Sequence, residues 1–456
     1  MTDTPRGRQS IFGGLLLILI GVLFLLHNRF PELGLEHILR LYWPVILIVW
    51  GLAKLFDNFS ARRSGDSRPP LLSGGEVALI ILLFVAVSGI WGFHRIRDQF
   101  GDSNSFDWND MWVKKGVPVS EDVPPVAVKP NSSISVQTPR GDITVFADES
   151  SDLHVVATKT VSGVNDADSE KRASSIKIEV TPVSGGFKVE PAGISGDTAH
   201  TRIDLEIHLP KQVSVTAQTQ NGDITITGIG GAATAISQTG DIAVHDVGSD
   251  VTATPQNGDI RIAHVHGDVR LHGKGNGVDL SDVTGSASVD GEFYGPIQIS
   301  NIAQTTQFTS SRTDLTILKM RGRLDLDSDS LQISDVDGSI KLRTHDKSIE
   351  LENTSGRIDI TNAHADVSIS LKKVPSDEIS VQNDTGGVEL ALPSKSTFEI
   401  NAASRSGEVQ SEFESSSLSQ QTAGETSKLE GKVGDHGPKI TLVTTYGTIN
   451  LRKSDS

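Results

Sequence analysis

Three aspartates recur at equal intervals in the middle of the chain: Asp223, Asp241 and Asp259, each after a glycine and before an isoleucine. If each interval is one turn of a repeating structure, the three carboxylates stack in a column. Such a column suggests either a ladder for Ca²⁺ or a carboxylate pair acting on polysaccharide. The competing reading is turn chemistry, because Asp accepts backbone hydrogen bonds in tight corners. Gly277, Pro296, Ser330 and Ser348 interrupt the column, Asp314 is where it could resume, and no His or Arg repeats beside it. Calcium takes about six to eight oxygens, more than three aspartates supply. Turn chemistry is the reading favoured for the column.

The other candidates are weaker. His245, His264, His266, His272, His345 and His364 fall at different repeat positions and form no HExxH pattern, so they read as surface histidines. There is no GxSxG, P-loop or dinucleotide fingerprint, and Gly273-Lys-Gly275-Asn-Gly277 has no helix after it to hold a phosphate. With 0 cysteines, a disulfide framework and a thiolate zinc site are both excluded. No catalytic, cofactor-binding or metal-ligating residue is assigned.

The elements that position these residues follow from apolar spacing. From Ile224, apolar side chains recur at offsets 2, 5, 9 and 11: Ile226, Ile229, Ala233 and Ala235. Equivalent series begin at Ile242, Ile260, Val278, Ile297, Leu315, Leu331 and Ile349, mostly 18 residues apart. Two spacings of two per unit mean two short strands pointing alternate side chains inward, with offset 5 beneath a corner. A unit so short cannot be a domain, but stacked units bury one continuous apolar column. The expectation is an all-β parallel β-solenoid with coils of about 18 residues and two short strands per coil. Gly222, Gly240, Gly258, Gly277 and Gly295 precede the starts, where corners call for positive φ or close approach.

Regular coils are expected over 212–375, an irregular β capping region over 131–211, and further β coils over 376–456. The stretch 415–437 has no apolar period and reads as a flexible excursion. Residues 98–130, rich in Pro, Ser and Asp, read as a linker.

Residues 1–97 read as a membrane anchor with three transmembrane α-helices at about 9–28, 38–56 and 77–93. The first has no Asp, Glu, Lys or Arg over Gln9–Asn28, and no small-residue cleavage site follows it. Arg6, Arg8, Lys54, Arg62, Arg63 and Arg68 place the N-terminus and the second connection in the cytoplasm, so three spans deliver the large domain to the outside. The formal net charge is −16. Residues 1–97 hold ten basic and six acidic residues, so the remainder carries 31 basic and 51 acidic and is near −20. A surface that acidic repels phosphate backbones, which argues against a nucleic-acid partner.

Two resemblances emerge. Gly13 to Asn28 followed by Leu41-Tyr-Trp43-Pro44 through Gly51-Leu resembles the paired membrane helices of LiaI/LiaF-type envelope-stress regulators, over about 10–56. The strand Leu205-Glu-Ile-His-Leu-Pro210, Val213-Ser-Val215 and the Gly-Asp-Ile series resemble the bacterial "putative adhesin" β-strand-repeat family, related to autotransporter-adhesin heads, over about 126–452. That second resemblance implies architecture and no enzyme residues.

The expected function is a non-enzymatic cell-envelope protein in the cytoplasmic membrane, displaying an acidic solenoid for binding, adhesion or scaffolding. Its expected partners are the lipid bilayer and an envelope polysaccharide or another envelope protein. The alternatives are an envelope-stress sensor acting through its helices on a signalling partner and, more remotely, a carbohydrate-active β-helix enzyme.

Overall fold

The computed structural model describes residue 116 and residues 118–162, 166–194 and 200–454. All lie in the second of the chain's two units, Phe106–Ser456. The three expected membrane spans lie outside the described residues. Among the described residues no helix is long and apolar enough to cross a membrane.

The domain begins with β1 (Pro118–Ala127), β2 (Ser133–Arg140), β3 (Ile143–Asp148), β4 (Asp152–Val161), α1 (Asp166–Ser175), β5 (Lys177–Val183), β6 (Gly186–Ala192) and β7 (Thr201–Pro210). Nine strands of regular coil follow: β8 (Ser214–Asn221), β9 (Ile224–Thr227), β10 (Ala233–Thr239), β11 (Ile242–Val247), β12 (Val251–Pro255), β13 (Ile260–Val265), β14 (Val269–Gly275), β15 (Val278–Val283) and β16 (Ala287–Phe293). They form two parallel columns. One runs Ile224↔Ile242↔Ile260↔Val278, the other Val215↔Ala233↔Val251↔Val269↔Ala287. The inward offsets are those the spacing predicts: Ile242, Val244, Val247, Val251 and Ala253 are at most 1% exposed. Val247, Val265 and Val283 stack beneath one corner.

The solenoid is not parallel throughout. β17 (Ile297–Thr309) spans both columns, and β18 (Thr313–Leu326) runs back antiparallel to it and to the following β19 (Ser330–Val336) and β20 (Ile340–Thr344). The coil expected to start at Leu315 is therefore wound in reverse. Two hairpin turns reverse the chain: Ser310 N–H donates to Thr313 O at 2.8 Å, and Asp327 N–H to Ser330 O at 2.9 Å. Leu315, Ile317, Met320, Leu324 and Leu326 are buried all the same. Their spacings of two, three, four and two read almost identically from either end, so apolar period carries no direction. Parallel stacking resumes with β21 (Ser348–Glu352), β22 (Ile358–His364), β23 (Val367–Ser370), β24 (Ile379–Thr385) and β25 (Val388–Pro393).

At both ends the order in space departs from the order in the chain. The last elements are β26 (Phe398–Ser406), β27 (Val409–Ser411), β28 (Leu418–Ala423), β29 (Thr426–Val433), β30 (Lys439–Tyr446) and β31 (Ile449–Ser454). β30 is inserted between β24 and β26, and β31 between β25 and β27. The detour through 415–437, expected as a flexible excursion, holds a hairpin of β28 and β29, with β29 laid antiparallel on β26. Nearly every residue of β28 is exposed, which is why it leaves no apolar period. At the other end, β2 sits between β6 and β8, and β3 between β7 and β9.

β4 pairs antiparallel with β7, and β1 antiparallel with β4. β1 lies within the stretch expected as linker. Its only buried residue is Val123, and Pro124 and Pro125 occupy a register shift against β4. Proline suits an edge strand because it offers no N–H for a further strand. β1 is held by a buried cation as well: Lys159 Nζ, 2% exposed, lies 2.8 Å from Glu121 Oε2 and donates to Ile176 O just after α1, also at 2.8 Å.

Candidate functional site

The Gly-Asp corners join one column to the other. Gly222, Gly240 and Gly258 take φ of 153°, 135° and 137°, and a Cβ at Gly240 would lie 2.1 Å from Gly222 O. No side chain fits such an approach, so glycine is required there. Gly277 and Gly295 do not take positive φ.

Each aspartate then serves the next coil. Asp142 Oδ1 accepts from Asp223 N–H at 2.8 Å, Asp223 Oδ1 from Asp241 N–H at 2.7 Å, and Asp241 Oδ1 from Asp259 N–H at 2.8 Å. Asp204 Oδ1 starts the ladder on Asp142 N–H at 2.8 Å, and Asp259 Oδ1 ends it on Gly277 N–H at 3.1 Å. Arginine faces the second oxygens at two places: Arg202 Nη2 is 2.6 Å from Asp142 Oδ2, and Arg261 Nη2 is 3.7 Å from Asp259 Oδ2. Asp314 does not rejoin the ladder; it lies on the reversed β18, in register with Thr309 and Arg343.

A second ladder, missed in the sequence, lines another corner. Asp250 Oδ1 accepts from Asp268 N–H at 3.0 Å and Asp268 Oδ1 from Ser286 N–H at 2.9 Å, while Arg270 bridges both carboxylates at 3.1 and 3.0 Å. Electrostatics separates the two columns. Burial pushes the Asp223 carboxyl above its usual range, aided by Asp142 and Asp241 and opposed by the Asp241 N–H and Arg202. The Asp268 N–H and Arg270 hold Asp250 below it. Burial pulls the Arg202 guanidinium down, but Asp204 and Asp142 outweigh it and leave the group raised.

The histidines read as surface residues are only partly buried or exposed. His264, however, belongs to a third corner whose backbone is left-handed, with φ near 56° at Asp246, His264 and Asp282 and 53° at Asn301. Its ring nitrogens lie 3.5 Å from Asp246 Oδ1 and 3.6 Å from Asp282 Oδ2. Asp, Asn and His are the side-chain-bearing residues most often found at such φ. Their recurrence four residues after each start was the available signal. Among the described residues no group of three or more His, Cys, Asp or Glu is arranged to hold a metal ion.

The feature least like a corner lies on the patch of β1, β4, β7 and β3, where β1–β4 and β4–β7 pair antiparallel and β3–β7 parallel. Strand pairing sets Phe146, His208 and His154 side by side on three adjacent strands. The ring centroids are 5.7 and 6.2 Å apart, and successive planes differ by 32°. His208 and His154 line an open cleft of about 420 Å³ together with Pro125 of β1, Asp148, Ser150 and Asp152. His154 Nε2 is 2.7 Å from Asp122 Oδ1; His208 Nε2 is 3.0 Å from Glu206 Oε1, and its Nδ1 is 3.8 Å from Asp148 Oδ2. Alternation along each strand pushes these rings outward, because Val145, Val155 and Ile207 beside them fill the core.

No curated protein matches the chain. Among solved structures it is similar to a "putative cell adhesion protein" from Clostridium sporogenes (9% identity, 74% of this chain and 100% of that one, TM-score 0.17). It is also similar to a "putative adhesin" from Bacteroides fragilis (11%, 74% and 97%, 0.19) and a "putative lipid binding protein" from Parabacteroides distasonis (8%, 74% and 97%, 0.22). At these TM-scores the likenesses carry no argument. Family models are decisive. Residues 11–55 match the LiaI-LiaF-like transmembrane region, which makes this a membrane-anchored protein. Residues 131–452, the span of interleaved coils from β2 to β31, match the Toastrack DUF4097 model, and the chain belongs to that family.

Proposed function

We propose that this is a non-enzymatic cell-envelope protein, held by three spans, whose acidic solenoid stands outside the cytoplasmic membrane as a binding or scaffolding surface. The observation that carries the reading is the engagement of the stacked aspartates. Asp142, Asp223, Asp241 and Asp259 each give one oxygen to the N–H of the next coil. A carboxylate so held is suited to fixing a corner, not to moving protons. What the coils leave outward is a long polar surface, suited to an extended partner such as an envelope polysaccharide or another envelope protein. The LiaI-LiaF-like segment supports a second reading, in which the domain reports envelope stress through the helices to a signalling partner.

A single cysteine at the exposed Ser416 tests the placement, since the chain has 0 native cysteines. A membrane-impermeant thiol reagent should label Ser416→Cys in intact cells. Labelling only after lysis would put the domain in the cytoplasm and overturn the reading. Deletion of the gene separates the two functions: an altered envelope-stress reporter favours the sensor, and an unaltered one the binding surface.

A further inference from the structure

We propose that the ring-lined cleft on β1, β4, β7 and β3 is a binding platform for a glycan carrying free amino groups. The proposal deepens the reading of the solenoid as a binding surface and rests on it. Three observations converge on this one patch. The first is the row of flat rings Phe146, His208 and His154, with centroid steps of 5.7 and 6.2 Å; the two histidines line the cleft together with Pro125, and Phe146 extends the row beyond its lining. Phe146 is 36% exposed, among the few large apolar side chains that the described residues leave open. Sugar rings present C–H faces that pack on flat side chains, and a row of such side chains suits a chain of sugars. A compact polar ligand would gain little from it.

The second observation is charge. Asp122, Asp148, Asp152 and Glu206 border the row, and Lys211, just past the end of β7, is directed to Glu149 at 3.7 Å. Asp122, Asp148 and Glu206 face the two histidines, while Asp148 and Asp152 also accept from Ser150 N–H and Ser151 Oγ. An anionic glycan would be repelled and a neutral one would leave this charge unused, whereas ammonium groups complement it and gain further from lying near an aromatic face. The third is shape. An open cleft of about 420 Å³ accommodates one or two sugar units and leaves both ends of a longer chain free to pass over the neighbouring strands. A basic peptide shares the charge complementarity but gains less from a stepped row of rings, so the glycan is the occupant the geometry favours.

The test uses the full-length chain in detergent micelles, titrated by calorimetry with a hexamer of glucosamine. The fully N-acetylated hexamer, a galacturonate oligomer and hexalysine serve as comparisons. The glucosamine hexamer should bind, with affinity reduced at least about tenfold by N-acetylation and by Phe146→Ala. Asp148→Asn with Asp152→Asn should weaken it similarly, and the remote His272→Ala should not. Both sets of substitutions replace outward side chains, and an unchanged melting temperature would confirm that the fold is intact. No binding at millimolar hexamer would overturn the proposal, as would indifference to Phe146→Ala or hexalysine binding as tightly as the sugar. Failure of the platform is distinguishable from failure of the functional reading. Labelling at Ser416 reports where the domain lies whatever it binds, and the titration reports the cleft whatever side of the membrane it occupies.

Discussion

Replacing Val265 with aspartate places a carboxylate beneath a corner where the chain offers it nothing. Val265 is 1% exposed and lies between Val247 and Val283 in the neighbouring coils. Losing the buried side chain costs about 1.5–3 kcal/mol. The carboxylate adds to this, because it must either be buried unpaired or take up a proton. Burial raises such a group by as much as about 3 units, so protonating it at neutral pH costs about another 4 kcal/mol. The total, about 5.5–7 kcal/mol, rivals the whole stability of an ordinary domain. The sign is testable. A carboxyl raised in the folded state penalises folding above its unfolded value near 4 and not below it, so the variant should recover part of its deficit as pH falls from about 7.5 to 5. The neighbour His266 is exposed, and its backbone N–H, not its ring, is bonded to Val247 O at 2.9 Å. His266→Asp should therefore change stability by about 0.5 kcal/mol or less. Urea denaturation of the full-length chain followed by circular dichroism reads both, with hydrogen exchange locating the loosening in the coils that start at Ile242 and Val278. Equal tolerance of the two substitutions, or a Val265→Asp deficit that ignores pH, would refute the inward register at this corner.

Further outcomes follow from the same contacts. Asp241→Ala should cost about 1 kcal/mol in urea denaturation by orphaning the Asp259 N–H, and Asp241→Asn, which keeps an acceptor, should cost only a few tenths. Lys159→Ala leaves the Ile176 carbonyl without its donor and Glu121 with only the exposed Lys177 at 3.9 Å, and should destabilise by about 2 kcal/mol, with faster hydrogen exchange in β1 before any other strand. The raised Asp223 contributes no stability above its ordinary value and the lowered Asp250 does, so Asp250→Asn should lower the melting temperature at pH 7 and lose that effect in acid, as pH falls through the lowered value of Asp250, while Asp223→Asn should be neutral or slightly stabilising at pH 7. Deleting 439–454 removes the inner neighbours of β26 and β27 and should abolish protection throughout Phe398–Val433 in hydrogen exchange.

The coils were legible because burial here is periodic. Ile224, Ile242, Ile260 and Val278 are apolar for a reason that repeats, and the repeat is visible without any knowledge of pairing. The Gly-Asp corners were legible for a similar reason. Direction was not, since Leu315 to Leu326 satisfies the spacing running either way. Polar positions inside the core were also hidden from a reading based on apolar residues. Thr219 Oγ1 donates to Gly141 O at 3.1 Å, Ser404 Oγ to Gly447 O at 2.7 Å and Thr444 Oγ1 to Gly386 O at 3.0 Å, five residues before the inward start in each case. These buried hydroxyls satisfy corner carbonyls from inside the stack. The ring row was beyond reach for a different reason. Phe146, His154 and His208 meet only through the pairing of β4 with β7 and β3 with β7, which no local period announces.

The interleaved ends impose an order of assembly. In the middle of the stack a coil docks on the one made just before it, 18 residues earlier, so the structure can grow as the chain emerges. The ends cannot. β2 reaches β8 only across 81 residues, the separation also bridged by Asp142 and Asp223 at the corner that follows, and closing that loop instead of an 18-residue one costs about 1.3 kcal/mol more. β26 must likewise wait, its inner edge open, until Lys439–Tyr446 has been made and has entered the gap beside β24. A chain delivered from its N-terminus would thus complete its far end last, by strand insertion and not by stacking. Any factor that attends its maturation would find its target in that open edge.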